Sequence, residues 1–232
     1  MRPADARRKL ARALMLLRRE HGRRGWAPAG SAVGELVGTI LSQNTSAANA
    51  SAGFRQLWRR FRSWPGVANA PVGEIERCIR VSGLSRIKAP RIRRILRQVR
   101  QLSPGLRVSL EFLRDWPDER AYRFLMDFDG VGPKTAACVL MFAFGKPLFP
   151  VDTHIVRIAV RLGLLPAGTG AERAQQALTP LIVPASRYEL HVLLIAHGRR
   201  ICRARSPRCA FCPLRAMCPH GKARLRLAKG AE

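Results

Sequence analysis

Four of the six cysteines, Cys202, Cys209, Cys212 and Cys218, fall within seventeen residues in the pattern C-x6-C-x2-C-x5-C. Four thiolates this close need a cation to cancel their charge, or they must pair as disulfides. The sequence opens on no secretory pattern, and a 232-residue chain has no need of disulfide staples, so metal or cluster ligation is the expected use. Only Cys209 and Cys212 form a C-x2-C pair, whereas structural zinc sites usually bring two such pairs. Cys212-Pro213 and Cys218-Pro219 repeat the cysteine-proline step found in iron–sulfur runs. Spacing alone leaves zinc and a 4Fe–4S cluster both open. Cys78 and Cys138 stand alone in apolar stretches and read as small buried hydrophobes.

The second reactive candidate is a lysine. Only six of the 42 basic residues are lysine, and Lys134 follows directly on Gly130-Val131-Gly132-Pro133. Arginine stays charged, but a lysine amine can act as a nucleophile, and the positive end of a helix dipole disfavours an ammonium there. An exposed lysine with no role is the bland alternative. Some twenty residues on, Asp152 opens the segment Val151-Asp152-Thr153-His154-Ile155. It suits the N-cap of a following helix, and a carboxylate near a reactive amine can also steady positive charge or move protons.

The elements that must position these groups read as helices. Apolar residues recur at helical spacing at Leu10, Ala13, Leu14 and Leu17, at Val33, Leu36, Val37, Ile40 and Leu41, and at Ala89, Ile92, Ile95, Leu96 and Val99. Leu178, Leu181 and Ile182, then Leu190, Leu193 and Leu194, predict further helices. Trp64-Pro65-Gly66, Ser103-Pro104-Gly105, Trp116-Pro117-Asp118 and Leu165-Pro166 are turn signals. Arg107–Phe112 alternates like a strand but is short and isolated, and is read as helix. The expected class is all-α. Residues 119–144 form two helical patterns around a tight turn, in which Gly130 and Gly132 permit positive φ and close backbone approach, and Pro133 suits the first helical position. Such a turn is either plain helix–helix packing or a phosphate seat at a helix N-terminus.

Composition bounds the partner. Forty-two Lys and Arg stand against 15 Asp and Glu, for a net charge of +27, which favours a polyanion; nucleic acid ranks first and an anionic membrane surface second. No run approaches the roughly 18 apolar residues of a membrane span, so a soluble protein is expected. Nine basic residues against Asp5 and Glu20 in the first 24 resemble a targeting peptide, but the apolar spacing predicts a basic amphipathic helix of the fold. Seven of the fifteen residues 86–100 are basic, which fits either a solvated helix face or a phosphate-tracking one. A basic tail follows His220.

Together these residues carry a resemblance. GVGPKTA, then VDTHI, then C-x6-C-x2-C-x5-C, with LSQNTS at 41–46 and SGLSRIKA at 82–89 in order, resemble the endonuclease III family of helix-hairpin-helix DNA glycosylases from about residue 30 to 219. The resemblance implies a two-lobed all-α fold: a six-helix barrel over 29–146, with the hairpin at about 120–144, and an iron–sulfur lobe formed by 1–28 and 147–232, with bent DNA in the cleft. It implies that Cys202, Cys209, Cys212 and Cys218 hold a 4Fe–4S cluster, and that Arg203, Arg205 and Arg208 form a basic arm against phosphates. Lys134 takes the nucleophile position and Asp152 that of the assisting carboxylate. Leu84 matches a wedge in the base stack, Gln43 or Asn44 fills the gap, and His154 contacts the extruded nucleotide. Gly130, Val131, Gly132 and Thr135 belong to the DNA-seating hairpin. The implied activity is base-excision repair: a glycosylase with abasic-site lyase activity on oxidised pyrimidines in duplex DNA; a monomer is expected, and a cytoplasmic, nucleoid-associated location is expected from the absent export signal and that substrate. A thymine/uracil–guanine mismatch glycosylase and a non-catalytic binder of damaged DNA are the alternatives. Two departures touch the site: Ser46-Ala47-Ala48 where relatives carry an aspartate, and Asp127-Phe128-Asp129 where leucine-proline is frequent.

Overall fold

The computed structural model describes residues 2–28 and 30–229, with side chains to residue 226; Ala29, where one expected domain boundary falls, lies outside them. Every regular element among the described residues is helical. The chain forms two compact units, Met1–Trp26 with Pro147–Glu232, and Ala27–Lys146.

The first helix, α1 (Pro3–His21), buries Leu10, Ala13, Leu14 and Leu17 in one line, so the basic N-terminal segment is a helix of the fold. The chain then builds the second unit from α2 (Ala32–Ser42), α3 (Ala47–Phe61), α4 (Trp64–Asn69), α5 (Val72–Ile79), α6 (Ser85–Leu102), α7 (Asp118–Met126) and α8 (Pro133–Phe144). Serines start three of these: Ser31, Ser46 and Ser63 each accept a backbone N–H three residues on, supplying an acceptor that the helix itself lacks. Helix α8 is apolar nearly all round, with Thr135–Met141 continuously buried, which makes it the central rod; α2 and α7 pack against it.

After residue 146 the chain returns to the first unit with α9 (Thr153–Arg161), α10 (Ala171–Leu178), α11 (Arg187–Arg200) and α12 (Pro219–Lys229). Leu17, Ile155, Ile158, Leu178, Leu190 and Leu193 are buried together there, and α9 packs on α11, which also carries α1. Each such leucine contributes about 1.5–3 kcal/mol on burial.

Some local expectations need correcting. Trp64-Pro65-Gly66 begins α4 instead of making a turn, because Ser63 caps it and Pro65 sits in the first helical turn, where its missing N–H has no cost. Arg107–Phe112 is not an α-helix: residues 107–110 form no regular element between two short 3-10 turns, Pro104–Leu106 and Glu111–Leu113, and the Ser109 hydroxyl accepts the Glu111 N–H. The helix expected through Ile182 ends at Leu178 and gives way to a 3-10 turn at Pro180. The basic tail after His220 lies in α12.

Candidate active site

The α7–α8 hairpin is built by sterics. Gly130 has φ +75°, and a Cβ there would lie 2.3 Å from Nε of Arg91, so the α6 arginine lies directly over the turn. Gly132 is different: its φ is −94° and an added Cβ would meet nothing within 4 Å. It caps α8 through backbone alone, so no side-chain acceptor from the cap occupies the helix's first amides. Val131 and Thr135 are buried. The departure at 127–129 has a local reason: Phe128 stacks edge-on with Phe124 at 5.4 Å, and Asp129 pairs with Arg94 and, at 3.5 Å, with Arg91. The hairpin is thus tied to α6 by charge.

Lys134 occupies the second position of α8 and is half-buried. Its Nζ makes no hydrogen bond or ion pair among the described residues. By contrast Lys9 donates to Leu162 O, Lys88 to two carbonyls, and Lys146 to Trp116 O and Asp118. The amine therefore stands in the first turn of α8 free of hydrogen bonds among the described residues, and its charge acts on the Glu35 carboxyl.

Sequence reasoning missed Glu35. On α2, it accepts the Thr39 hydroxyl at 3.4 Å and lines a cavity of about 390 Å³ with Phe54, Trp58 and Trp64. Burial pushes its carboxyl above the usual range, against the opposing effects of Thr39 and the charge of Lys134. An acidic residue on an apolar helix gives no sign of this in one dimension; the signal lies in who surrounds it.

Two exposed tips flank the hairpin's support. Asn44 is exposed at φ +53°, whereas the neighbouring Gln43 is engaged: its Nε2 donates to Gly130 O at 3.1 Å and to Thr135 Oγ1 at 3.4 Å. Leu84 is 49% exposed at φ +51°, following Gly83 at φ +67°. Lys88, in the basic run 86–100, is no phosphate-tracking residue, for it is 2% exposed.

In the other unit, the approach to Asp152 is held on both sides. His191 Nδ1–H donates to Pro150 O at 2.9 Å and the Val151 N–H to Gln175 Oε1 at 3.4 Å. Asp152 Oδ1 accepts the Ile155 N–H at 2.9 Å, so the expected N-cap is made, and Oδ2 has no hydrogen bond among the described residues. Burial pushes the His154 imidazole down, outweighing the charge of Asp152 and a bond to the Gly198 backbone, which favours the neutral ring; Nδ1 meets the Arg157 guanidinium at 3.0 Å. Gly198 admits this ring, since a Cβ there would sit 2.9 Å from it.

Helix α9 continues from Asp152 to the cysteine segment. Arg157 Nε donates to Cys202 O at 2.9 Å, and Arg161 donates to Arg203 O at 2.7 Å, Ala204 O at 3.0 Å and Cys202 Sγ at 3.3 Å. These bonds hold the start of the 203–208 loop, whose Arg203, Arg205 and Arg208 are all exposed. The four cysteines are unpaired thiols that feel one another: burial first, and then the charges of Cys202, Cys218 and Cys209, push the Cys212 thiol up to about 11, and burial with Cys202 and Cys218 raises Cys209. No group of three or more described His, Cys, Asp or Glu is arranged to hold a single metal ion. The donor set is all thiol and partly buried, which fits soft-metal chemistry, a 4Fe–4S cluster taking one thiolate per iron.

With the fold and these groups established, the relatives fall into one class. Residues 37–184 match the HhH-GPD superfamily base excision DNA repair protein family. The chain is 32% identical over 187 residues to Endonuclease III of Sulfolobus acidocaldarius, covering 80% of both chains. It is 40% identical over 164 residues to Putative DNA glycosylase At3g47830 of Arabidopsis thaliana, covering 71% of this chain and 55% of that protein. A solved structure of a trapped endonuclease III–DNA covalent intermediate superposes with a TM-score of 0.80 at 27% identity, over 97% of this chain and 99% of that one. The chain belongs to the HhH-GPD superfamily of base excision DNA repair proteins and has the endonuclease III fold. No described helix is long and apolar enough to cross a membrane.

Proposed function

We propose that this protein is a DNA glycosylase with an associated abasic-site lyase activity, removing oxidised pyrimidines from duplex DNA as a monomer. The observation that carries this reading is Lys134: a half-buried amine without a hydrogen-bonding partner among the described residues, at the start of α8 and directly behind the glycine hairpin. As a free amine it attacks C1′ of a nucleotide swung out of the stack. The bond from C1′ to the base breaks, and the base departs with the bonding electrons and a proton. Opening of the sugar leaves an imine between C1′ and Nζ. Loss of a C2′ proton then expels the 3′ phosphate oxygen, which cuts the strand. Asp152, with Oδ2 unengaged among the described residues, steadies the cationic sugar and takes up protons; neutral His154 offers an N–H to the extruded nucleotide.

The duplex is bound through phosphates seated at the α8 N-terminus and along the arm Arg203, Arg205 and Arg208, while Leu84 enters the stack and Asn44, the exposed member of its pair, fills the space left by the base. Cys202, Cys209, Cys212 and Cys218 hold a 4Fe–4S cluster, which cross-links the loop and is redox-capable. Borohydride trapping on a panel of lesion duplexes tests the assignment. Wild type should form a covalent adduct with thymine glycol and abasic duplexes, and Lys134→Gln should form none while binding DNA as before. Adduct formation that survives this substitution removes Lys134 from the nucleophile role. Release of thymine from a guanine mismatch, without action on thymine glycol, overturns the lesion class instead.

A further inference from the structure

We propose that Lys88 is a positioning residue that makes the two tips, Gln43-Asn44 and Leu84, one rigid probe of the duplex. The proposal rests on the reading above that these tips enter the base stack. Among the seven basic residues of 86–100, Lys88 is the single lysine, and it lies among the largest fully buried side chains of the protein. Its Nζ donates to Leu41 O at 2.8 Å and to Ser82 O at 2.9 Å. Burial pushes its ammonium down, which is the expected response of a charge whose visible partners are neutral carbonyls.

Both acceptors sit at the roots of the tips. Leu41 lies in the last turn of α2, where carbonyls lack partners within the helix, and Asn44 follows three residues later. Ser82 immediately precedes Gly83 and Leu84, where the chain reverses before α6. Asn44 and Leu84 are both non-glycine residues with positive φ, a conformation that persists only where the surroundings over-determine it. The surroundings do so around Ser82: its hydroxyl donates to Ile79 O at 2.6 Å, and Gly53 of α3 lies so close that an added Cβ would stand 3.2 Å from the Ser82 Cβ. A compact ammonium on a narrow stem reaches both carbonyls at once, whereas the planar fork of arginine, the base at the other six basic positions of this helix, is bulkier than this buried space suits.

The geometry continues beyond Lys88. Leu41 leads directly to Gln43, whose amide holds Gly130 of the hairpin. Insertion of Leu84 therefore loads the end of α2 through Lys88, and through Gln43 the hairpin behind which Lys134 lies. A purely structural lysine would only stabilise the fold by satisfying these two carbonyls, whereas a positioning one also makes the two tips move together.

The test is strand opening read with a fluorescent adenine analogue opposite the lesion, alongside thermal stability and single-turnover base release. Lys88→Met leaves the Leu41 and Ser82 carbonyls without their donor, so it should lower the melting temperature, and in the folded protein it should also lower the opening equilibrium and base release about tenfold, with affinity for undamaged duplex unchanged. Added to Leu84→Ala, it should cause no further loss of opening, because both changes remove the same act. If Leu84→Ala and Asn44→Gly leave opening intact, the reading of the tips fails whatever Lys88 does. If they impair opening while Lys88→Met does not, or if the Lys88 and Leu84 losses add, the positioning role is overturned. Wild type itself offers a second measurement in case the variant does not fold. Hydrogen exchange should show residues 43–45 and 83–85 opening with one common rate, and two independent rates would overturn the coupling.

Discussion

The side-chain amide of Gln43 and the backbone carbonyl of Gly130 meet at 3.1 Å, so the end of α2 braces the hairpin in front of Lys134. The same amide reaches Thr135 Oγ1 at 3.4 Å, and one residue further on Asn44 projects into solvent. The two neighbours therefore separate by role. Gln43→Ala should destabilise the fold by about 1–2 kcal/mol, because the part-buried Gly130 carbonyl and the buried Thr135 hydroxyl lose their donor. Asn44→Gly keeps the positive φ at no steric cost, so stability should hold or rise while gap filling and base release suffer. Chemical denaturation together with single-turnover kinetics on both variants checks the division; equal stability losses would contradict it.

The hairpin glycines should be equally separable. At Gly130 an alanine faces the cost of left-handed backbone, about 1–2 kcal/mol, and must also displace Arg91, whose Nε stands 2.3 Å from the new Cβ. Arg91 and Arg94 would then lose their register on Asp129. At Gly132 an alanine meets open space at φ −94°, so stability should stay within about 0.5 kcal/mol of wild type. The open space is where a phosphate would approach, so Gly132→Ala should weaken duplex binding without unfolding anything. Denaturation midpoints and duplex affinity, measured on both variants, separate a fold defect from a binding one.

What could be read in one dimension follows from where the information lies. The apolar spacing of α1, α2, α6 and α11 was legible because burial on one face repeats at the helical period. Trp64-Pro65-Gly66 was not, because the same residues that break a helix also start one, and only the Ser63 hydroxyl on the Gly66 amide decides. Lys134 stood out as a lysine in an arginine-rich chain behind a glycine turn. Lys88 had the same distinction and was absorbed into a basic stretch, since its burial depends on carbonyls 47 and six residues away. Glu35 was hidden for a related reason: its neighbours Trp58 and Trp64 come from other helices.

Glu35 gives the fold a pH dependence of definite sign. Its carboxyl, raised by burial above the unfolded value of 4.5, holds its proton in the native state over a window where the unfolded chain has lost it. Its contribution to stability is therefore fully present below pH 4.5 and is lost as pH rises through the folded value. Glu35→Gln, which keeps the shape and never ionises, should gain on wild type as pH climbs through that window and hold its advantage above it. Because Lys134 lowers the Glu35 carboxyl, Lys134→Gln should move the window upward. Melting curves of the three proteins across pH 4–8 measure this directly, and a gap between wild type and Glu35→Gln that closes with rising pH would contradict the assignment.

The arginines around the cysteine loop should divide into those that build it and those that use it. Arg161 is tied to Cys202 Sγ and to the carbonyls of Arg203 and Ala204, while Arg205 is exposed at the loop's tip. Arg161→Ala leaves these carbonyls and the Cys202 sulfur without their donor, so the loop should loosen: the visible chromophore of the proposed 4Fe–4S cluster should bleach faster in air, and binding should weaken as a consequence. Arg205→Ala removes only the proposed phosphate contact of an exposed side chain. Its chromophore should last as long as that of wild type, its affinity should fall alike for every sequence, and the slope of log affinity against log salt should flatten by about one. Bleaching rates and salt titrations on the two variants distinguish a builder from a contact. Should Arg205→Ala bleach as fast as Arg161→Ala, the arm would be part of the cluster's scaffold and the phosphate assignment would pass to Arg203 or Arg208.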